Sequence, residues 1–293
     1  MEGHMKKRKI KALFLILSLC LLFQSCQKAP EESGTTIPVP DEPQVPIEEQ
    51  YLSIEYTYRT AGIDESVLTT DHDPTYLLLA NKSHRLGKDY QPANLIRVTS
   101  PTDEDEELEL EARAAWALYE MFREMQTDGI SDVFVTSAYR SYNYQNSLYD
   151  HYLEIEQDGI SDEAWQYLGS AYIQSEYIDC NKSKLKLEDA ERVVQSYSAR
   201  AGESEHQTGL CVDLITPDMN QHLTEAFENT EAFAWLSQNA HRFGFILRYP
   251  KGKESITGYT YEPWHYRYVG REAATNIYLS GLTLEEYLEE IQK

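Results

Sequence analysis

The hydrophobic positions divide this chain into three unlike parts. An apolar run from Ala12 to Phe23 follows a basic cluster of Lys6, Lys7, Arg8, Lys9 and Lys11. From Gln27 to Gln50 large apolar residues nearly vanish, and Pro30, Pro38, Pro40, Pro43 and Pro46 stand among Glu, Ser and Thr. Beyond Tyr51 the apolar residues return with the periods of folded elements. Ala112, Ala115, Leu118, Tyr119, Phe122 and Met125 follow helical spacing. This predicts a helix from Asp103 to Gln126, with acidic residues crowding the end that the helix dipole makes positive. Gly129 stops it. Tyr142 to Ile155 predicts a second helix, with Leu148, Tyr152 and Ile155 on one side, and Leu187 to Ala199 a third. A fourth, Thr230 to Phe243, is capped by Thr230 and closed by Gly244, and His241 falls near its end, where a cationic side chain suits the dipole. Thr283-Leu-Glu-Glu286 is a capping box that opens a terminal helix.

Strands are predicted at Val133 to Thr136, Leu210 to Ile215, Phe245 to Tyr249 and Trp264 to Val269. Residues 51–98 mix apolar runs with turns and predict one strand and a covering arm. Residues 157–185 are aromatic, acidic and broken by Gly159 and Gly169, and no element is assigned there. Helices and strands are interspersed without a regular βαβ beat. The expected class is therefore α+β, an antiparallel sheet flanked by helices, in a single domain over residues 51–293.

The N-terminal pattern changes where such a domain would work. A charged segment, an apolar core and a small residue before Cys26 read as a secretory signal over residues 1–25. The apolar run is too short for an ordinary transmembrane helix. Leu22-Phe-Gln-Ser-Cys26 resembles a bacterial lipoprotein signal, although Phe23 and Gln24 are bulkier than usual there. That resemblance implies a lipid anchor at Cys26 as the sole membrane contact. The alternative is an uncleaved anchor, or a plain secretory signal with an incidental cysteine. Residues 26–50 then form an extended Pro/Glu-rich tether. The expected location is the bacterial cell surface, on the outer face of the cytoplasmic membrane.

A formal net charge of −23 disfavours nucleic acid and broad adhesion to anionic lipid. Of four cysteines, Cys20 and Cys26 belong to the leader. Cys180 and Cys211 remain, and both are read as free thiols. Cys211 alternates with apolar residues and is read as packing rather than as a ligand.

Three separated stretches carry the chemistry. Ser204-Glu-His-Gln-Thr-Gly-Leu-Cys-Val-Asp213 and Glu262-Pro-Trp-His265 together offer two histidines, an aspartate and a spare glutamate. A catalytic zinc site needs that much: three protein ligands, an open position for water and a base nearby. His206 and Asp213 lie seven positions apart, so a continuous strand would put them on opposite faces. Thr208-Gly209 supplies the turn that lets both face one ion. Asp213 lies between Val212 and Leu214, where an ionised carboxylate needs a neutralising partner. Alternatively, Asp213 faces water at a strand edge and His265 is a packed core histidine. Pro263 holds Glu262 in extended geometry. In the third stretch, Ser137-Ala-Tyr-Arg-Ser-Tyr-Asn-Tyr-Gln145, Arg140 and Gln145 suit a substrate carboxylate. A plain surface salt bridge is the competing reading of Arg140.

These stretches, in this order, resemble the signatures of the VanY-like zinc D-alanyl-D-alanine carboxypeptidases. The likeness extends over about residues 77–270 and includes Leu78-Leu-Ala-Asn-Lys82 and Asp89-Tyr-Gln-Pro92. It implies a fold like those of Hedgehog and the DD-peptidases, and one Zn²⁺ held by His206, Asp213 and His265. It implies Glu262 as the catalytic base and Arg140 as a substrate contact. Gln145 and Ser204 are the expected hydrogen-bond partners of the substrate. The chain departs from the family at Cys211, where a small residue is expected, and at Glu154 to Leu187, which reads as an insertion. The implied reaction is removal of the C-terminal D-alanine from peptidoglycan stem peptides. The alternatives are an L,D-carboxypeptidase trimming tetrapeptide stems, an endopeptidase acting within cross-links, and a non-catalytic peptidoglycan-binding lipoprotein.

Overall fold

The computed structural model describes residues 55–70, 73–100, 103–169, 184–219 and 222–292. All fall within the compact unit Val45–Lys293. The leader, the tether, Cys26 and Cys180 lie outside the described residues. No helix among the described residues is long and apolar enough to cross a membrane.

The chain enters as the expected covering arm. Tyr58 packs on Phe243 at 5.3 Å between ring centroids. Arg59 N and Thr60 N each donate to the buried Glu124 carboxylate at 2.7 Å. Two short 3-10 turns follow, Glu65–Val67 and Pro74–Leu77, each capped by an aspartate. The arm ends in β1, Leu95–Ser100, which pairs antiparallel with β2, Asp103–Glu111.

β2 corrects the helix predicted from Asp103. Only Ala112–Thr127 is helical (α1), with Glu111 as its N-cap accepting from Arg113 N and Ala114 N. Before it, Leu108 and Leu110 are buried while Glu109 is exposed. That period of two is a strand signal, and Val98 lies opposite Leu108 across the pair. Acidic residues upstream of an apolar helix looked like dipole partners, but the alternation among them outweighs that reading.

The remaining elements follow the expected order. They are β3 (Phe134–Ser137), α2 (Tyr142–Asp158), α3 (Asp162–Leu168) and α4 (Leu187–Tyr197), then β4 (Cys211–Ile215) and α5 (Glu231–Asn239). β5 (Phe245–Leu247), α6 (Glu254–Thr257), β6 (His265–Tyr268), α7 (Arg271–Ser280) and α8 (Leu284–Ile291) complete the chain. The capping box at Thr283 and Glu286 forms as predicted. α3, α6 and α7 were not expected. α3 lies in the stretch read as an insertion, Glu154 to Leu187, and Ala164 and Leu185 from that stretch form a small core with Ala190 and Val193 of α4, which follows it.

The main sheet is antiparallel throughout, in the order β3-β4-β6-β5. Val212, Leu214, Tyr266 and Tyr268 face the principal core with residues of α1 and α5. By the two-residue period, Cys211, Asp213, His265 and Arg267 take the other face. That face is also buried, and it is polar. Hydrophobic burial therefore fixes one side of the sheet and leaves the other to chemistry.

His241 departs from its expected part as a cation at a helix end. It lies in a 3-10 turn, Ala240–Phe243, stacked on Tyr278 with centroids 4.0 Å apart. Burial, aided by the neighbouring Arg242 charge, pushes its pKa down to about 4. The unfolded chain takes up this proton near pH 6.5 and the folded chain does not, so stability falls as pH drops through that interval. His241→Phe keeps the stack and removes the proton uptake. The urea midpoint of the variant should therefore fall less than that of the parent between pH 6.5 and pH 4. Equal slopes would show that His241 does not contribute.

Candidate metal centre

The centre is assembled on one row of the sheet. Asp213 on β4 pairs with Ser137 on β3 and with His265 on β6. Strand pairing alone thus places the aspartate between the start of the arginine stretch and the histidine of the third stretch. His206 arrives from a 3-10 turn, Glu205–Thr208, capped by the Ser204 hydroxyl, which accepts from His206 N. Gly209 ends that turn at φ +67, where a Cβ would come within 3.0 Å of Leu95 and 3.1 Å of Pro92. Only glycine meets both the left-handed backbone and the close approach. The predicted turn between His206 and Asp213 is therefore present, and both side chains reach one place.

The donor atoms converge on Asp213. Its Oδ2 is 3.2 Å from His206 Nε2, and its Oδ1 is 2.9 Å from His265 Nδ1. His206 Nδ1 lies 2.6 Å from the Ala138 carbonyl. An Nδ1–H donated to that carbonyl leaves the Nε2 lone pair for a metal. Glu262 and His265 are the ends of a tight turn over Pro263 and Trp264, closed by His265 N donating to Glu262 O at 3.2 Å. This brings Glu262 Oε2 to 3.7 Å from His265 Nδ1. All four side chains are at least nine-tenths buried.

Electrostatics separate the two carboxylates. Burial alone would neutralise Asp213, but the imidazoles of His206 and His265 hold its carboxyl well below the usual range. Burial pushes Glu262 up to about 7, with the Asp213 charge adding to the rise and His265 opposing it. One group is a permanent anion and the other exchanges a proton near neutrality, which is what a base requires. Two imidazoles and a carboxylate beside a second, weaker carboxylate match the donors zinc takes in a catalytic site.

Arg140 is bonded into the centre, and Gln145 takes up a position different from its expected one. Arg140 Nη2 donates to Asp213 Oδ2 at 3.0 Å, Nε to Ser137 Oγ at 3.0 Å, and Nη1 to Gln145 Oε1 at 3.0 Å. The guanidinium is thus locked against the proposed ligand and is no isolated surface charge. Gln145 is 1% exposed, and its Nε2 donates to Ala199 O at 2.7 Å. Both ends of its amide are engaged, so it holds Arg140 in place and does not face the cleft. Ser204 and Arg140 do line the cleft, a volume of about 1070 Å³ that also meets Tyr152, Tyr249, Tyr259 and Trp264.

The family model for VanY, D-alanyl-D-alanine carboxypeptidase, matches residues 107–271. This chain belongs to the VanY family. It is 35% identical over 228 residues to the putative carboxypeptidase YodJ of Bacillus subtilis, covering 77% of this chain and 71% of that one. It is also 35% identical to a D-alanyl-D-alanine carboxypeptidase of Enterococcus faecalis, covering 64% of this chain and 61% of that protein. Among solved structures, the LdcB LD-carboxypeptidase superposes with a TM-score of 0.59 at 34% identity, covering 75% of this chain and 88% of that one. The D,D-pentapeptidase VanY of a VanB-type resistance cassette, solved with Zn(II), gives 0.54 at 32% identity, covering 73% and 99%.

Two features of this VanY-family centre escaped sequence reasoning. Glu205, next to His206, is fully enclosed, and its Oε1 accepts from Arg248 Nε at 2.9 Å and lies 2.9 Å from Arg267 Nη1. Burial opposes its ionisation, but Arg248 and Arg267 outweigh it and keep the carboxyl well below the usual range. Arg248 continues to Glu285 on α8 through two bonds of 2.8 and 2.6 Å. The one charged residue in the apolar run Phe245-Ile-Leu-Arg-Tyr249 was the available signal. Second, the Cys211 Sγ and one nitrogen each of His206 and His265 all lie within 4.8 Å of one another. Arg248→Met would leave Glu205 and Glu285 each short of a buried partner. It should cost about 3–5 kcal/mol of unfolding free energy in urea, whereas a loss under about 1 kcal/mol would mark the ladder as dispensable.

Proposed function

We propose that this chain is a zinc-dependent carboxypeptidase that removes the C-terminal D-alanine from peptidoglycan stem peptides. His206, Asp213 and His265 hold the ion, and Glu262 is the base. The observation that carries this reading is the convergence of three buried donors on one point, with a carboxylate of pKa about 7 at 3.7 Å from His265. Membership of the VanY family supplies the substrate class.

A zinc ion held by His206, Asp213 and His265 would supply Lewis acidity to the scissile carbonyl and would lower the pKa of a bound water toward about 7. Glu262 accepts the proton of the attacking water and returns it to the leaving amine. Its enclosed position keeps the carboxyl poised between the two states. Arg140 lends positive charge beside Asp213, where it steadies the developing oxyanion. The Ser204 hydroxyl accepts from His206 N and retains its own proton to donate to a substrate carbonyl. Tyr249, Tyr259 and Trp264 form the aromatic wall of the cleft. Work on peptidoglycan requires an extracytoplasmic location, and a lipid anchor at Cys26 with the tether behind it would supply that. L,D-carboxypeptidase activity is a second reading, favoured by the likeness to LdcB.

Glu262→Gln should retain zinc and lose about 10²- to 10⁴-fold in kcat, and near-normal turnover would remove Glu262 as the base. Elemental analysis of His206→Ala should find most of the zinc gone; full occupancy would exclude that ligand. Incubation with pentapeptide and tetrapeptide stems, read by mass, should show loss of one alanine from the pentapeptide. Loss from the tetrapeptide alone would select the L,D reading.

A further inference from the structure

Cys211 stands inside the centre itself. It shares a strand face with Asp213, two positions along β4, and is fully buried as a free thiol. The register places it opposite Arg267 and diagonal to His265. Its sulfur and a nitrogen of each imidazole form a compact His206, Cys211, His265 group. A second observation concerns His265 itself. Its Nε2 is buried and has no partner at hydrogen-bond distance among the described residues, with Glu205 Oε2 standing 3.9 Å away. The centre thus holds two donor sets that share both imidazoles. One adds the hard carboxylate of Asp213, and the other adds a soft sulfur.

We infer that Cys211 is a thiolate donor to the metal centre, recruited when a thiophilic divalent cation such as Cd²⁺ binds between His206 and His265. The inference rests on the proposed role of the two histidines as ligands. Soft cations prefer thiolate over carboxylate, and zinc is borderline between them. On metal binding the Cys211 sulfur loses its proton to solvent and forms one metal–sulfur bond, with no change of oxidation state. A small residue at position 211 would offer no such donor. Cys211 therefore gives this chain a metal preference that His206, Asp213 and His265 alone would not produce.

The test is spectroscopic. The full chain is stripped with chelator and titrated under reducing conditions with Cd²⁺, and in parallel with Co²⁺, whose visible bands report binding independently of sulfur. Wild type should develop the ultraviolet thiolate-to-metal charge-transfer band with one equivalent of Cd²⁺. Cys211→Ser, nearly the same size, should keep the visible cobalt bands and lose the charge-transfer band. Wild type that shows the visible cobalt bands yet gives no charge-transfer band with Cd²⁺, or a cadmium charge-transfer band surviving in Cys211→Ser, would overturn the assignment. His206→Ala separates the two layers of argument. If it abolishes cobalt binding while wild type lacks the sulfur band, the histidine ligand stands and the thiolate falls. If cobalt binds His206→Ala as tightly as wild type, the ligand set falls and the thiolate assignment with it.

Discussion

The centre depends on the register of β4. Because Asp213 pairs with Ser137 on one side and His265 on the other, one aspartate ties together stretches more than fifty positions away in each direction. A shift of one residue would turn Asp213 into the apolar core and Val212 or Leu214 toward the imidazoles. Val212, Leu214, Tyr266 and Tyr268 prevent that shift, since each is fully buried on the opposite face. Hydrophobic packing, which carries no chemistry here, sets the position of every donor.

The polar face of the sheet must then keep charges out of water without neutralising them. Asp213 stays anionic because two imidazoles and Arg140 surround it. Glu262, one turn away and less well matched, is raised to about 7. Their unequal surroundings assign unequal roles to chemically similar groups. Beneath them Glu205, Arg248 and Glu285 form a buried ladder from the His206 turn to the terminal helix α8. Arg267 adds another link, donating to the carbonyls of Tyr76 and Leu78 in the arm. The arm and the terminal helix, both remote in sequence, are thereby bound to the floor of the centre.

Much of this architecture could be read from periodicity. The apolar stripe of α1, the alternation of β4, the capping box of α8 and the turn at Gly209 each have a local cause, and each appears in the fold. β2 was misread because acidic residues before a helix satisfy the dipole rule, while the alternation at Leu108 and Leu110 carries the stronger signal. His241 was misread because a helix end favours a cation only where water reaches it, and the stack on Tyr278 removes the water. Gln145 was assigned to substrate by its side-chain chemistry. Its amide is instead shared between Arg140 and the Ala199 carbonyl, a partner 54 positions away.

The sequence by itself determined the residue types of the centre, the turn that brings His206 round to Asp213, and the stiff pairing of Glu262 with His265. These are short-range consequences of glycine, proline and side-chain chemistry. Tertiary structure decided which carboxylate is held ionised and which is poised near neutrality, since burial and neighbouring charge set that balance. It also decided that Arg140 adjoins Asp213, that Glu205 anchors the floor, and that the Cys211 sulfur faces the imidazoles. Each of those depends on strand register and on partners distant in sequence, which no local pattern encodes.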